Sequence, residues 1–289
     1  MKRVLITGGA GSIGSELTRK LVERGFQVRD FDLPFLDFSA LEALENVEIV
    51  KGDITDAATV AAAVDGADLV LHLAALLPLA SERDREKTFA VNVGGTANVV
   101  EGIKAAGGGA RLVFSSTVAT YGNTMDDEPP VGVDHRQKPV DIYGESKIAA
   151  ERLILEAGIP YTILRVSGVV IPALLDPPDP WPFMREQRME FVARADVVSA
   201  LLAAVQTEEA AGKILIIAGG ASWQMLGYQY VEKVFELLDV PMEEASFRQT
   251  PWWSDWYDTT EAQALLNYQH TSFPEFLEQL DQAILEALG

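Results

Sequence analysis

A glycine-rich turn near the N-terminus constrains the fold more than any other feature of the sequence. Gly8, Gly11 and Gly14 are spaced three residues apart, directly behind the apolar run Val4–Ile6 and ahead of residues that can begin a helix. A strand that turns tightly into a helix presents backbone N–H groups and the positive end of the helix dipole, which suit a pyrophosphate. Glycine also favours any strand-to-helix turn, so an ordinary turn is the alternative reading of the motif.

Apolar strands alternate with helical segments over the first two-thirds of the chain. Strands are predicted at 4–6, 27–31, 48–51, 68–73, 111–115, 161–166 and 213–217, and helices at 12–24, 57–64, 88–106, 143–157 and 195–206. This alternation is typical of an α/β fold with a doubly wound parallel sheet, the Rossmann arrangement. Five prolines between Ile171 and Pro182 predict a loop, and the remainder is predicted to be helical with an aromatic cluster at 252–257.

Composition excludes several classes of partner. The net charge of −20 argues against nucleic acid and anionic membrane surfaces. No apolar run approaches the roughly 20 residues of a membrane span, and MKRVLIT is predicted to be a first strand rather than a targeting segment. The chain has no cysteine and only three histidines, at 72, 135 and 270, without paired spacing. We therefore expect no metal centre and a cytoplasmic protein that acts on a small molecule.

Two acidic positions follow predicted strands. Asp32 closes the second strand, 18 residues after Gly14, where a carboxylate accepts both ribose hydroxyls of an adenosine and repels a 2′-phosphate. This position favours NAD over NADP, whereas the alternative is an Asp that starts the turn into Leu33. After the third strand, either Asp53 bonds the adenine amino group while Ile54 covers its face, or Asp53 or Thr55 caps the following helix.

Tyr143 and Lys147 form a Tyr-x-x-x-Lys pair at helical spacing, so their side chains share one face of the predicted helix. A lysine ammonium beside the phenol, together with a positively charged nicotinamide, would stabilise the phenolate and make it a base. Upstream, Ser115, Ser116 and Thr117 end a strand at the same edge of the sheet. A hydroxyl there would hold the substrate oxygen, or else the three residues serve only the turn.

These motifs resemble a known family. The features are the turn Thr7–Gly14, Asp32, Gly52–Ile54, Leu71–Ala75, Asn92–Thr96, Phe114–Thr117 with Tyr121–Gly122, Tyr143–Lys147 and Leu164–Arg165. They occur in the order of the extended short-chain dehydrogenase/reductase superfamily. More narrowly, the chain resembles the NAD-dependent epimerase/dehydratase family, which includes UDP-glucose 4-epimerase. The strong motifs cover residues 4–172, and a weaker match continues over 191–197.

The resemblance implies a role for each matching position. It implies that Tyr143 is the acid/base, that Thr117 is its hydroxyl partner and that Lys147 assists both Tyr143 and the cofactor. The NAD contacts that it implies are Gly8, Gly11, Ser12, Ile13 and Gly14 for the phosphates, Asp32 for the ribose, Asp53 and Ile54 for the adenine, and Leu73, Ala74, Ala75, Ser115, Tyr143 and Lys147 on the nicotinamide side. It implies that Asn92 is a structural polar residue beside the cofactor, in a helix where Asn is otherwise a poor choice.

The resemblance also implies two units and a homodimer. Residues 1–166 plus 191–220 form an NAD-binding Rossmann domain, and residues 167–190 plus 221–289 form a small substrate-binding lobe. The dimer would be built on the helices at 88–106 and 143–157. The alternative is that the apolar residues of both helices all face the sheet and leave no apolar surface for a second copy.

Departures from the family narrow the function. Val118 and Ala119 stand where the dehydratases carry an Asp-Glu pair, which argues against elimination of water. Gly168 and Ile171 replace an Asn and a Gly that many sugar-nucleotide enzymes carry, and the segment to Glu190 is short, which argues against a diphosphate sugar. Three functions remain, in this order: a nucleotide-sugar epimerase, a dehydrogenase or reductase of a smaller alcohol, sugar acid or ketone, and a regulatory NAD-binding protein.

Overall fold

The computed structural model describes residues 2–288, so Met1 and Gly289, the ends of the two predicted units, lie outside the described residues. Within that range seven strands form a parallel sheet in the order β10-β6-β5-β4-β1-β2-β3. The strands are β1 Arg3–Thr7, β2 Gln27–Asp32, β3 Val47–Lys51, β4 Leu69–His72, β5 Arg111–Thr117, β6 Tyr161–Val166 and β10 Lys213–Ile217. The strand order reverses between β1 and β4, which is where doubly wound sheets bind ligands at their carboxyl edge.

Helices cover both faces of the sheet, and the predicted Rossmann fold is confirmed. The helices are α1 Ser12–Glu23, α2 Ser39–Glu42, α3 Ala57–Val64, α4 Arg85–Phe89, α5 Gly95–Ala105, α6 Ile142–Glu156, α7 Arg194–Gln206, α8 Gly227–Leu238, α9 Thr260–Leu266 and α10 Phe273–Leu288. One core contains Val4 and Ile6 with apolar residues of α1, α7 and α9, while Leu5 belongs to the core on the other face with α3, α5 and α6. Both faces of β1 are therefore buried, as its continuous apolar run predicts.

A single long helix crosses the carboxyl edge beside β4. It begins at Arg85 rather than at the predicted Thr88, because Asp84 caps it by accepting the Lys87 N–H at 2.9 Å. Residues Ala90–Gly94 form a π-helical turn between α4 and α5. This turn contains Asn92, which is buried although it is polar.

Most of the remaining chain forms a small lobe with a core of its own, whereas α7, β10 and α9 pack with the sheet. Two short sheets lie here, β7 Gly168–Val170 with β9 Phe191–Ala193, and β8 Arg188–Met189 with β11 Met225–Leu226. The sequence predicted only helices after residue 220 and therefore missed β11. Aromatic side chains dominate the core of the lobe, namely Trp181, Phe183, Phe191, Trp223, Tyr230, Phe273 and Phe276. Among residues 2–288, no helix combines the length and apolar character needed to span a bilayer.

Candidate active site

The glycine-rich turn connects β1 to α1 and lies against the end of β4. Gly8 has a positive φ of 81°, and a Cβ there would come within 2.9 Å of the Ala74 backbone nitrogen. Its N–H donates to the Phe31 carbonyl at 2.9 Å, which ties the turn to the end of β2. A side chain on Gly14 would collide with the Gly8 carbonyl oxygen, so α1 can start this close only with glycine.

The N-terminus of α1 lies at the same edge of the sheet as the turn, and its first backbone N–H groups are hydrogen-bond donors. The helix follows Gly11, and no side chain caps its first turn. The first N–H groups of a helix have no partner within the helix, so those of Ser12, Ile13 and Gly14 are available to an anion. The local structure therefore fits the predicted pyrophosphate contacts.

A cleft of about 560 Å³ opens beside this turn. Gly8, Gly11, Asp32, Asp53, Ile54, Leu73, Ala74 and Ala75 are among the residues that line it. The Asp32 carboxylate accepts the N–H groups of Ala10 at 3.1 Å and Leu33 at 2.9 Å, and burial raises its pKa. Carboxylate oxygens have further lone pairs, so Asp32 can still accept ribose hydroxyls. Eight of the predicted cofactor residues thus share one cleft, and their individual contacts stay predictions.

The alternative in which Asp53 or Thr55 caps α3 is wrong. The cap is Asp56, whose Oδ1 accepts the N–H groups of Ala58 at 3.0 Å and Thr59 at 3.2 Å. Asp53 instead accepts the N–H and the hydroxyl of Thr55, at 2.9 and 2.8 Å, which closes a local turn. The helix starts three residues later than an Asp53 cap requires and one residue later than a Thr55 cap requires, and Asp53 is left at the wall of the cleft.

A buried carboxyl group lies beneath the turn, and the sequence reasoning missed it. Asp30 is 0% exposed, and a side chain on Gly9 would strike it. The Thr18 hydroxyl lies 2.9 and 3.0 Å from the two Asp30 oxygens and 3.0 Å from the Gly14 carbonyl. One hydroxyl proton cannot serve both acceptors, whereas a protonated Asp30 donates to Thr18 and leaves Thr18 to donate to Gly14. Burial raises the pKa of Asp30 to about 7, and the nearby Asp32 adds to the rise.

His72 ends β4 in a chain of hydrogen bonds that fixes its tautomer. The Thr96 hydroxyl donates to the Asn92 carbonyl at 2.6 Å, so at 3.0 Å it can only accept the N–H of His72 Nε2. Nδ1 then accepts from the Thr7 hydroxyl at 2.6 Å. Burial and the charge of Lys147 lower the pKa of His72 to about 3, which keeps the imidazole neutral. A His inside the apolar run Leu69–Leu73 was the available signal for this role.

Asn92 holds the loop that follows β4. Its Oδ1 accepts the Leu76 N–H at 2.7 Å, and its Nδ2 donates to the Leu76 carbonyl at 3.1 Å and to the Ser146 hydroxyl at 2.9 Å. Ser146 in turn donates to the Tyr143 carbonyl at 2.7 Å. The amide thus links the cleft wall to α6, which fits the structural role that the resemblance implies, and a direct cofactor contact of Asn92 stays a prediction.

The structure brings Lys147, Ser115 and Tyr143 together. Lys147 is 2% exposed, and its Nζ donates to the Ser115 carbonyl at 2.8 Å. The same atom lies 4.7 Å from the centre of the Phe114 ring and 5.7 Å from that of Tyr143. Burial lowers the pKa of Lys147 to about 8, whereas burial and then the charge of Asp141 raise the pKa of Tyr143. The phenol is therefore neutral here, and a second positive charge near it is needed to make it a base at neutral pH.

Thr117 ends β5 next to the start of α6. A Cβ on Gly144 would come 2.8 Å from the Ala119 carbonyl, so the strand end and the helix are in close contact. The Thr117 Oγ1 accepts the Ala119 N–H at 3.1 Å, which leaves its hydroxyl proton free to donate to a substrate oxygen. Val118 and Ala119, which follow Thr117, are buried and have no ionisable group. Neither can therefore act as an acid or a base at this position.

Two carboxylates hold the N-terminus of α6, and the sequence pointed to neither. The Glu82 oxygens accept the N–H groups of Tyr143 at 3.0 Å and Ile142 at 3.1 Å. Asp141 caps the helix by accepting the Gly144 N–H at 2.7 Å. Negative charge is favourable at a helix N-terminus, and these bonds fix the backbone that carries the tyrosine.

The fold and this edge define a dinucleotide-dependent enzyme of the short-chain dehydrogenase/reductase type, with Tyr143 and Lys147 on α6 beside the end of β5. The sequence model of the NAD dependent epimerase/dehydratase family matches residues 4–179. The chain belongs to this family, and its cofactor is NAD. The resemblance drawn from the motifs is confirmed.

The proteins that are similar to this chain are named for different reactions. A 3 beta-hydroxysteroid dehydrogenase/Delta 5→4-isomerase of Mycobacterium tuberculosis is 39% identical over 176 residues, which are 58% of this chain and 47% of the relative. The chain spans about half the length of the curated relatives it matches. UDP-glucose 4-epimerase from Thermotoga maritima, solved with UDP-glucose, has a TM-score of 0.82 at 23% identity, covering 99% of this chain and 100% of that one. An Agrobacterium tumefaciens short-chain dehydrogenase/reductase solved with NAD has a TM-score of 0.81 at 23% identity, covering 99% and 98%.

Proposed function

We propose that the protein is an NAD-dependent dehydrogenase of an uncharged, largely apolar secondary alcohol. The reaction is that of the second function on the list drawn from the sequence, a dehydrogenase or reductase of a smaller alcohol, sugar acid or ketone, but the substrate class proposed here is different. The observation that carries it is the pairing of the arginines at the substrate side, since a nucleotide sugar brings a diphosphate that needs cationic partners.

Carboxylates already engage four of the arginines that an anionic substrate could use, whereas a fifth, Arg248, has no carboxylate partner among the described residues. Arg165 is buried and binds Glu151 at 2.7 Å, and Arg188 binds Asp255 at 2.6 Å and three backbone carbonyls. Arg194 pairs with Glu16 at 3.5 Å, and Arg185 with Glu186 at 3.6 Å. A diphosphate would have to compete with these carboxylates, most severely at the two buried pairs.

Apolar side chains instead surround the entrance to the catalytic edge. Leu77 lines the cleft and is 59% exposed, and Val140, three residues before Tyr143, is 54% exposed. Past β6, the Phe191 ring fills the space beside Gly168, where a Cβ would come 2.6 Å from the ring. The position at which related sugar-nucleotide enzymes carry Asn is thus covered by an aromatic ring, which favours an apolar substrate.

The residues at this edge fit oxidation of a carbinol. NAD, when bound, accepts a hydride from the carbinol carbon, which becomes a carbonyl carbon. The Tyr143 phenolate takes the hydroxyl proton, while Thr117 donates a hydrogen bond to the same oxygen. The Lys147 ammonium stabilises the phenolate by charge, and its bond to the Ser115 carbonyl holds it in place.

The relatives named as 3 beta-hydroxysteroid dehydrogenases support this choice of substrate class. The identity of 39% to one of them extends over 58% of this chain and 47% of that protein, so the support concerns the reaction more than the shape of the substrate. The nucleotide-sugar epimerase, first on the list drawn from the sequence, stays a prediction. Its support is a similarity of fold at 23% identity.

The test is a turnover assay with NAD and two substrates. We expect dehydroepiandrosterone, a 3β-hydroxysteroid, to give stoichiometric NADH, and UDP-glucose to give neither NADH nor UDP-galactose. An epimerase keeps its reduced cofactor bound, so UDP-galactose formed without net NADH would replace this proposal with the epimerase.

We further propose a homodimer in which α5 and α6 of one copy pack on those of a second. Leu155 of α6 is 43% exposed and offers an apolar contact on the outer face of that helix. Light scattering should give twice the chain mass at micromolar concentration, and Leu155→Glu should shift the mass toward the monomer. A monomeric mass for the unaltered chain would refute the dimer.

A further inference from the structure

We propose that Glu151 is a positioning residue for the reaction, which fastens the ends of β5 and β6 to α6 and supports the Lys147 ammonium with its charge. This inference rests on the proposed function, because it takes Lys147 to stabilise the Tyr143 phenolate. Glu151 is 2% exposed and lies one helical turn after Lys147, on the same face of α6. A buried carboxylate is costly unless it is paired and hydrogen-bonded, so its partners show what it holds in place.

Glu151 joins α6 to two strands and a loop through its two carboxylate oxygens. The Ser116 hydroxyl and, at 3.0 Å, the Arg165 Nε donate to Oε1. The Arg165 Nη2 at 2.7 Å and the Gln137 Nε2 at 2.9 Å donate to Oε2. Ser116 and Arg165 are paired neighbours on β5 and β6. Glu151 therefore fixes the distance between α6 and the strand end that carries Thr117, the residue after Ser116.

Arg165 is held in turn, so the pair has one fixed geometry. Its Nη1 donates to the Tyr121 hydroxyl at 2.9 Å and to the Val133 carbonyl at 2.8 Å. All three nitrogens of the guanidinium are thus bonded, and the side chain is buried. A guanidinium can only donate, and its two bonds to one carboxylate favour the charged form of both groups. The pair therefore places a fixed negative charge one helical turn from Lys147.

Lys147 needs this charge because its own surroundings are poor in acceptors. Within the described residues, its hydrogen bond is the one to the Ser115 carbonyl at 2.8 Å. Burial lowers the pKa of Lys147 to about 8, and the charge of Glu151 opposes that fall. The other charged or titratable groups around Lys147 and the pair are Tyr143, Asp141, the neutral His72, Tyr121 and Asp134. Lys147 stabilises a phenolate only while it is charged, so Glu151 extends the pH range over which Lys147 acts.

The test is an NMR titration of the Lys147 side chain, which needs neither substrate nor NAD. The Cε signal is followed in lysine-labelled protein and assigned by its loss in Lys147→Met. Glu151→Gln should lower the titration midpoint by about one pH unit, because it removes an opposite charge and leaves that of Arg165 unbalanced. Arg165→Gln should raise the midpoint, because the charge of Glu151 then acts alone. Damage to packing would not move the midpoint in opposite directions.

A double variant and a matched control complete the titration. Each single variant leaves one buried charge without its partner, whereas Glu151→Gln combined with Arg165→Gln leaves no unpaired ion. Its midpoint should lie below that of the unaltered protein and above that of Glu151→Gln, since the charge of Glu151 is the one that raises the pKa of Lys147. Glu156→Gln removes an exposed carboxylate from the same helix and should leave the midpoint unchanged.

Turnover separates this inference from the proposed function. With dehydroepiandrosterone and NAD, Glu151→Gln should lower kcat by about tenfold above pH 8, where one pH unit is a factor of ten in the charged fraction of Lys147. KM should change little, because Glu151 is buried away from the substrate. A Lys147 midpoint that is the same in the unaltered protein and the variants, or that moves in one direction in both single variants, overturns the inference. A lack of NADH from the unaltered protein, while the midpoint still follows Glu151, overturns the proposed function instead.

Discussion

The cofactor cleft and the C-terminal lobe differ in how completely their buried polar atoms are hydrogen-bonded. Around the cleft, the buried polar side chains of Thr7, His72, Asn92 and Thr96 all have hydrogen-bond partners. In the lobe, three buried polar atoms have none among the described residues: the indole nitrogens of Trp181 and Trp253 and the hydroxyl of Ser254. Glu190, buried in the lobe, does have partners, because it accepts the N–H groups of Gly220 at 2.8 Å and Tyr257 at 2.9 Å, so the difference lies in these three atoms. Hydrogen bonds fix the direction of a contact, whereas apolar packing fixes mainly volume. We therefore expect substitutions at the three unpartnered atoms to destabilise the protein less than substitutions in the cleft.

The largest expected effect is the loss of kcat when the phenol of the proposed catalytic residue is removed. Tyr143→Phe should lower kcat by about 10²- to 10⁴-fold, because proton transfer by a positioned side chain contributes that much. NAD affinity, measured by fluorescence titration, should stay within a few-fold of the unaltered value, since the phenol acts on the substrate proton. Retention of most activity would show that another group is the base.

The second prediction sets one side chain of each region against the other. Asn92→Leu should lower the free energy of unfolding by roughly 2–4 kcal/mol, because it leaves the Leu76 N–H and carbonyl and the Ser146 hydroxyl without their partner. Trp253→Phe removes an N–H that has no partner and loses only packing, so its effect should be smaller. Urea denaturation followed by circular dichroism measures both. Equal losses in the free energy of unfolding for the two variants would show that the hydrogen-bonded and the unpartnered side chains contribute alike to stability.

A third prediction concerns the choice of cofactor. Asp32→Ala should weaken NAD binding and improve NADP binding, narrowing the preference by at least about tenfold, or about 1.4 kcal/mol. Titration of both cofactors against both proteins gives the ratio. Equal affinity of the unaltered protein for NAD and NADP would show that Asp32 does not bind the ribose hydroxyls.

The last prediction is a dependence of stability on pH. Burial raises the pKa of Asp30 from 3.8 to about 7, so between these values the folded protein binds more protons than the unfolded chain. Stability from this group therefore falls as pH rises through that window, by at most about 1.4 kcal/mol per pH unit, and is level above it.

Asp30→Asn tests this dependence, because it removes the titration and keeps a donor for Thr18. The unaltered protein should lose more thermal stability than the variant between pH 5 and 7, a window inside the titration range. Parallel curves for the two proteins would show that Asp30 is ionised throughout this window.

The sequence predicted the seven strands of the sheet, the bounds of α1, α3, α6 and α7 to within one residue, and eight residues that line the cleft, because these depend on local pattern. Gly8, Gly11 and Gly14 are needed by backbone geometry at one turn, and Tyr143 and Lys147 share one helix face by spacing alone. Such features can be recognised before the chain is folded.

The missed features depend on contacts between distant parts of the chain. Glu82 reaches the Tyr143 N–H across 61 residues, and Thr7 reaches His72 across 65. Nothing local to Glu82 separates it from an ordinary surface carboxylate. A cavity of about 240 Å³ in the C-terminal lobe is harder still to predict, because its walls come from β7, the proline-rich segment, α8 and α10, and apolar residues in each of them suit any core.

The π-helical turn Ala90–Gly94 sets the rotational phase between α4 and α5. An α-helix advances about 100° per residue, so the one residue that a π turn adds rotates everything after it by that angle relative to an uninterrupted helix. Thr88 before the turn bonds the Ser81 carbonyl, and Thr96 after it meets His72. With one residue fewer, only one of these two threonines can keep its partner. The distance in sequence between them is therefore as much a part of the site as the residues themselves.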